Sequence, residues 1–230
     1  MTDGKNVYLS PSTLRIFQDC PRCFWFHANT KHKANRYPFP SIASGMDSVV
    51  KQYFDTYRTQ GTVPPEMRAV PDGALVEQDT IDRWRNWRKG LSYHIDDTDV
   101  LVIGALDDCM IIDSRYAPID YKTRGYEKQE KGNYHYQLQL DVYSLLIEKN
   151  DYKIAPYGYL VFYYPQKVVE QGVLQFGIDV QRITLSSTQA MRTIQRAIGV
   201  MNEDAPPQPN SRCAVCAFQQ EEGISDIIHI

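Results

Sequence analysis

Two C-x-x-C pairs stand near opposite ends of this chain, Cys20 with Cys23 and Cys213 with Cys216. Either pair alone is a weak signal. Together they point to one four-cysteine site, so the fold must bring the first helix and the C-terminal segment side by side. Such a site suits Zn2+ or an iron–sulfur cluster, and spacing does not choose between them; the alternative is four buried thiols. Met1 to Tyr8 is too polar for a signal peptide, which favours metal ligation over a disulfide framework. Closing a long loop is where a metal clip gains most, and a structural role follows. The fifth cysteine, Cys109, falls in an expected strand as a small core residue.

Composition narrows the class further. With 230 residues, 43% hydrophobic and 23% charged, the chain fits one domain with an ordinary core. No apolar run is long enough to cross a membrane, so the cytoplasm is the default and no membrane contact is expected. The net charge of -3 argues against a tight, nonspecific nucleic-acid binder but leaves room for local basic clusters. Two stretches qualify, Arg15 to Arg36 and Lys122 to Lys131, with a solvated surface as the alternative for both.

The chemistry concentrates between Val100 and Tyr143, where the pattern predicts strand, turn, strand, short loop, strand, charged loop and helix. Asp107 falls in the turn after the apolar run Val100 to Leu106. Asp120 and Lys122 are two apart, which places both on one face of a strand. Gln139 and Tyr143 are four apart and share one face of the following helix. Two carboxylates on neighbouring strands can hold a hard divalent cation such as Mg2+, which lowers the pKa of a water and polarises a phosphoryl oxygen. A lysine beside them can orient or deprotonate that water, or stabilise charge on the phosphodiester.

The order of Gly104-Ala105-Leu106-Asp107, then Ile119-Asp120-Tyr121-Lys122-Thr123, then Gln139-Leu140-Asp141-Val142-Tyr143 resembles the PD-(D/E)XK nuclease superfamily, in its RecB-like branch. A lone D-x-K arises often by chance; three ordered motifs are far more specific. The opening helix adds a second likeness: Ser10, Leu14, Phe17 and Cys20-Pro21-Arg22-Cys23 resemble RecB-like nucleases that carry an iron–sulfur cluster, including CRISPR-adaptation exonucleases. The resemblance spans Leu9 to Cys216. It implies an α/β fold with a restriction-endonuclease-like core, a mixed central sheet flanked by helices and a cysteine clamp. It implies Mg2+ or Mn2+ held by Asp107 and Asp120 with the Tyr121 carbonyl, Lys122 at the water, Gln139 in support, and Tyr143 contacting DNA or backing the lysine.

The sequence departs from that family in two places. The family's histidine, four residues after a glycine, is Val49 here, counted from Gly45. Asp47 lies nearby as a substitute ligand or the holder of a metal-bound water, against the commoner solvated helix-start aspartate. The resemblance also implies a [4Fe-4S] cluster held by one N-terminal and three C-terminal cysteines. Glu221 and Glu222 stand where the third is expected, so Cys23 supplies a two-plus-two arrangement and Zn2+ is the alternative.

The rest of the chain supports a single nuclease domain over 1–230, with an N-terminal helical part at 9–90, the catalytic sheet core at 91–185, and a last helix and clamp at 186–230. Ser10 and Pro11 form a helix start, and Phe24-Trp25-Phe26 is core. A helix is expected from Ser44 to about Thr59, burying Val49, Val50, Tyr53, Phe54 and Tyr57. Gly61 to Gly73 is a loop. A helix over Gln78 to Lys89 docks through Ile81, Trp84 and Trp87, although its tryptophans could stack on bases. His94 lies in a strand ahead of a turn at Asp96 to Asp99, a structural residue rather than a ligand. Arg124 to Asn133, with Lys128 and Lys131, is a phosphate-contacting flap or a flexible charged loop. Strands follow at Tyr157 to Tyr164 and Val173 to Ile183, then a helix from Ser186 to Asn202 and an ordinary tail.

The expected function is a metal-dependent deoxyribonuclease, an exonuclease on single-stranded DNA or DNA ends, with room for protein partners in a DNA-processing complex. The rival of another class is a catalytically inactive nuclease-fold module binding nucleic acid or a protein. A zinc-clamped regulatory protein explains the cysteines but not the carboxylates and lysine.

Overall fold

A strand buried on both faces needs side chains that suit two different cores, and the strand Arg115 to Thr123 (β6) is built that way. In the computed structural model, which describes residues 7–30, 41–68, 70, 73–127 and 134–221, Ala117, Ile119 and Tyr121 enter one apolar cluster. Tyr116 packs against the other. Period two then turns Asp120 and Lys122 toward that second side.

β6 is central in a five-stranded sheet with Gly73–Leu75 (β2), Asp108–Ile112 (β5), Tyr157–Glu170 (β7) and Val173–Thr184 (β8), ordered β2-β5-β6-β7-β8. Its only parallel pair is β6 with β7. A parallel neighbour needs a crossover, and Tyr134–Lys149 (α5) supplies it. α5 covers one face with Pro11–Asp19 (α1), Pro21–Asn29 (α2) and Ser187–Met201 (α6), while Ser41–Thr59 (α3) covers the other. The expected mixed sheet flanked by helices is present. Val100–Ile103 (β4), however, belongs to a second sheet of three strands, between Val7–Leu9 (β1) and Ser92–His94 (β3). No helix among the described residues is long and apolar enough to cross a membrane.

The local signals hold in most elements. Ser10 caps α1 in a reciprocal capping box with Thr13, with Pro11 in the first turn, so two orphan donors are satisfied at once. Ser186 caps α6 through the Gln189 amide. The helix expected after the charged loop is α5, and its Leu138, Val142, Leu145 and Leu146 are buried. Cys109 is fully buried.

Elsewhere the structure differs from expectation. β1 and β2 are three-residue strands that no alternation announces; they exist because a longer neighbour offers an open edge. The helix at Gln78 stops at Arg85 (α4), where Asn86 turns extended. Trp84 is buried but Trp87 is 45% exposed. Val49 is 60% exposed; of the expected face α3 buries Val50 and Phe54, and Tyr53 and Tyr57 pack partly against the same cluster. β7 continues through Pro165 to Glu170, because a register shift after Pro165 absorbs the missing donor. Ala214–Glu221 is a further helix (α7) where an ordinary tail was expected. Glu222, Tyr37 to Pro40, Lys128 and Lys131 lie outside the described residues.

Gly104 earns its place by close approach. A Cβ there would stand 2.6 Å from Leu146 Cδ1 and 3.3 Å from the Tyr143 ring. Only glycine lets the β4–β5 turn lie this near α5. Gly104→Ala is expected to destabilise the fold by about 1–3 kcal/mol, the range for overpacking a tight contact, read as a lower midpoint in urea unfolding.

Candidate active site and cysteine site

Asp107 ends the β4–β5 turn, Asp120 and Lys122 project from β6, and Gln139 and Tyr143 stand one turn apart on α5. The fold brings all five together around a cleft of about 410 Å3, which Asp47 and Lys51 of α3 also line. Lys122 Nζ lies 2.5 Å from Asp120 Oδ2 and donates to Gln139 Oε1 at 3.0 Å. Gln139 Nε2 donates to Asp120 Oδ1 at 2.8 Å and to the Tyr143 hydroxyl at 2.7 Å. The Tyr143 hydroxyl in turn donates to the Ala105 carbonyl at 2.8 Å. Asp107 Oδ2 accepts from the Tyr121 amide at 3.0 Å. A single relay of hydrogen bonds therefore ties the strand carboxylate, the lysine and the helix to the turn that carries Asp107.

Asp120 has no exposed surface. Burial pushes its carboxyl up to about 7; Lys122 pulls it down and Asp107 pushes it further up. Two carboxylates with so little solvent need more positive charge than one lysine brings, and the site meets that need with a residue that sequence reasoning passed over. Lys51 Nζ lies 2.8 Å from Asp47 Oδ2 and 3.0 Å from Asp107 Oδ1. Burial lowers the Lys51 pKa, but Asp107 and Asp47 more than offset this and hold it above its ordinary value. The available signal was its i+4 spacing from Asp47. Those two are the charged positions that α3 turns to the cleft, beside Ser44. Val49 is not among the lining residues, so a side chain at the position counted from Gly45 points away from the site.

A second ionic cluster lies directly behind. Asp108 is fully buried, and its Oδ2 receives Arg58 at 2.6 Å, Arg85 at 3.2 Å and the Tyr121 hydroxyl at 2.8 Å. Arg85 Nε also donates to the Asp107 carbonyl at 2.9 Å, which fixes the backbone of the candidate ligand. Arg58, Arg85 and Asp108 were not brought together in sequence, because they come from three separate elements.

Other expected positions lie outside the site. His94 is an exposed residue of β3. Arg124 stacks on Phe162 with 3.9 Å to the ring centroid and pairs with Asp179 at 2.9 Å; it braces β7 and β8 rather than leading a flap. In the N-terminal basic stretch, Arg22 donates to the Pro207 carbonyl at 3.2 Å and lies over Phe26.

The four cysteines do converge. Their sulfurs lie within 4.8 Å of one another, with Cys20 to Cys216 at 3.8 Å and Cys23 to both Cys213 and Cys216 at 3.6 Å. Each pair opens a helix: Cys20 is the N-cap of α2, and the Cys213 carbonyl accepts the first bond of α7 from Ala217. Thiolates are favoured at that end of a helix dipole. Burial nevertheless pushes the Cys216 thiol up to about 12 and Cys23 higher still, with Cys20 beside it adding to the cost. Four thiolates can coexist there only around a cation. The Asn210 side chain to the Asp19 carbonyl and the Trp25 indole to the Glu203 carbonyl complete the seam.

Residues 34–220 match the family model of the PD-(D/E)XK nuclease superfamily, and the chain belongs to that superfamily. The matched span holds the whole constellation from Asp47 to Tyr143 and the second cysteine pair, and begins after the first. Members of the superfamily are generally metal-dependent nucleases, so nucleic acid is the general class of substrate. A comparison with curated proteins returned no match.

The sign of the Asp120 shift makes a prediction. A carboxyl raised in the folded state lets the metal-free fold keep its full stability below the unfolded pKa and lose it as pH rises toward about 7. Metal-free protein is expected to melt lower at pH 8 than at pH 5.5, and Asp120→Asn to reduce that difference, by differential scanning calorimetry.

Proposed function

We propose that the protein is a Mg2+- or Mn2+-dependent deoxyribonuclease acting as an exonuclease on single-stranded DNA or DNA ends. The observation that carries this is the relay Lys122–Asp120–Gln139–Tyr143, closed on the turn of Asp107. Asp107 and Asp120 would hold the cation, with Asp47 and the Tyr121 carbonyl beside them. The cation supplies Lewis acidity toward the phosphoryl oxygen and a more acidic water. Lys122 is the residue at the water: Gln139 fixes its ammonium from one side, so it can orient the attacking water and stabilise charge on the phosphate. Tyr143, whose own hydroxyl is committed to Ala105, keeps Gln139 in its rotamer. Burial of Asp120 keeps its carboxylate out of water, which would strengthen its hold on a cation.

The reading as a catalytically silent module loses weight on one geometric point. Position 49 points away from the cleft, so its valine removes nothing from the site, while Asp47 and Lys51 take the site-facing positions. Lys122→Ala is expected to lower cleavage of labelled DNA in Mg2+ or Mn2+ by about 10²–10³-fold, in the range for loss of one charge-stabilising group, assayed at a temperature where circular dichroism shows both proteins folded. A wild-type protein that binds metal and cuts neither single-stranded nor duplex DNA would move the assignment to the silent module.

For the cysteine site we propose a single structural Zn2+ rather than the [4Fe-4S] cluster that the family resemblance favours. What supports zinc is spacing. Zn–S bonds of about 2.3 Å in a tetrahedron put sulfurs about 3.8 Å apart, which matches the 3.6 and 3.8 Å contacts here. In a cubane each thiolate binds a different iron, and the sulfurs stand much further apart. Anaerobically purified protein is expected to be colourless with one zinc per chain by elemental analysis, and to melt at lower temperature after chelation. A brown protein with visible absorbance would establish the cluster instead.

A further inference from the structure

A second, larger cleft of about 770 Å3 opens beside the candidate active site, lined by Tyr8, Trp87, Ile103 and Gly104 and sharing Ala105, Gln139 and Tyr143 with it. Its size is that of a site for a small ligand, such as a nucleotide. At its mouth stand two large aromatic side chains that the core does not take up: Tyr8 is 49% and Trp87 45% exposed. Their rings meet edge to face at 6.2 Å, so each holds the other in place. The Arg88 guanidinium carbon lies 4.7 Å from the centre of the Trp87 ring.

The local backbone explains why Trp87 stays outside. α4 ends at Arg85, and the Asn86 side chain and carbonyl bind the Arg88 and Gly90 amides, which fixes a turn on the surface. Trp84, three residues earlier, is 1% exposed. One tryptophan thus anchors α4, and the other is presented at the cleft. Tyr8 is presented by β1, whose parallel pairing with β4 runs Tyr8 beside Leu101. Strand β1 and the turn after α4 therefore place two π-faces, with a cation against one of them, in a cleft that also holds Gln139 and Tyr143.

We propose that this cleft is a stacking subsite for unpaired bases of the substrate strand, with Trp87 and Tyr8 as its platform and Arg88 as its charge. Aromatic faces accept any base, and an adjacent guanidinium adds cation–π and phosphate attraction. The base must be unpaired to enter, so a duplex must fray or end there. The proposal rests on the nuclease reading and extends it: the Trp87 platform would select for a single-stranded terminus and feed its backbone toward Asp107 and Asp120.

The test uses the full-length protein with Ca2+ in place of Mg2+, so that binding is read without cleavage. A fluorescent single-stranded 12-nucleotide DNA is compared by anisotropy with the same strand made abasic at three positions at each end. Trp87→Ala is expected to weaken binding of the normal strand about tenfold, the scale of losing one stacked base, and to change binding of the abasic strand little. Trp87→Phe is expected to retain most of the affinity. Equal binding of the normal strand by wild type and Trp87→Ala overturns the proposal, as does an equal loss on both strands. A wild-type protein that stacks bases in this assay but cuts nothing in Mg2+ or Mn2+ would sink the nuclease reading and leave the subsite standing.

Discussion

Asp108 is a carboxylate with no exposed surface, and the site depends on how it is neutralised. An unpaired buried charge costs several kcal/mol, so Arg58 of α3 and Arg85 of α4 must both reach it. Burial still pushes its carboxyl upward against the pull of the two arginines. Meeting that demand pins two helices to the start of β5, and Arg85 takes the Asp107 carbonyl in the same grip. Tyr121 adds its hydroxyl from β6. The backbone of one candidate ligand and the strand of the other are thus held from behind the cleft. Preorganisation of this kind is what lets a site act without rearranging at the moment of reaction.

The front of the site repeats the principle with opposite purpose. Three carboxylates share two lysines here: Lys51 bridges Asp47 and Asp107, and Lys122 pairs with Asp120. A divalent cation placed between the aspartates meets a site already partly neutralised at its edges. The same crowding raises Asp120 toward neutrality, so cation binding and proton loss are linked there.

Much of this was legible because local rules and the site coincide on β6 and α5. Period two placed Asp120 and Lys122 together, and period 3.6 placed Gln139 under Tyr143. The cysteine pairs announced their own meeting. What stayed hidden has a common physical cause: it depends on partners distant in sequence. β1 and β2 are too short to signal themselves and form only against β4 and β5. Val49 looked like core because α3 is apolar on more than one side, and only packing chooses the face. Trp87 looked like a docking residue until Asn86 broke the helix. Lys51, Arg58 and Arg85 have no meaning in sequence until the carboxylates they serve have been placed in space.

The cysteine seam also has a consequence in time. Cys20 and Cys216 are 196 residues apart, yet α1 and α2 rest on α6 and on the segment that follows it. During synthesis the chain emerges from its N-terminal end. The first two helices therefore leave the ribosome with their sulfurs exposed and half their packing partners unmade. They must wait for Cys213 and Cys216 before the four-cysteine site can close. Over the 190 residues that separate Cys23 from Cys213 the first pair stands without the second, and Cys216 is the cysteine that completes the set.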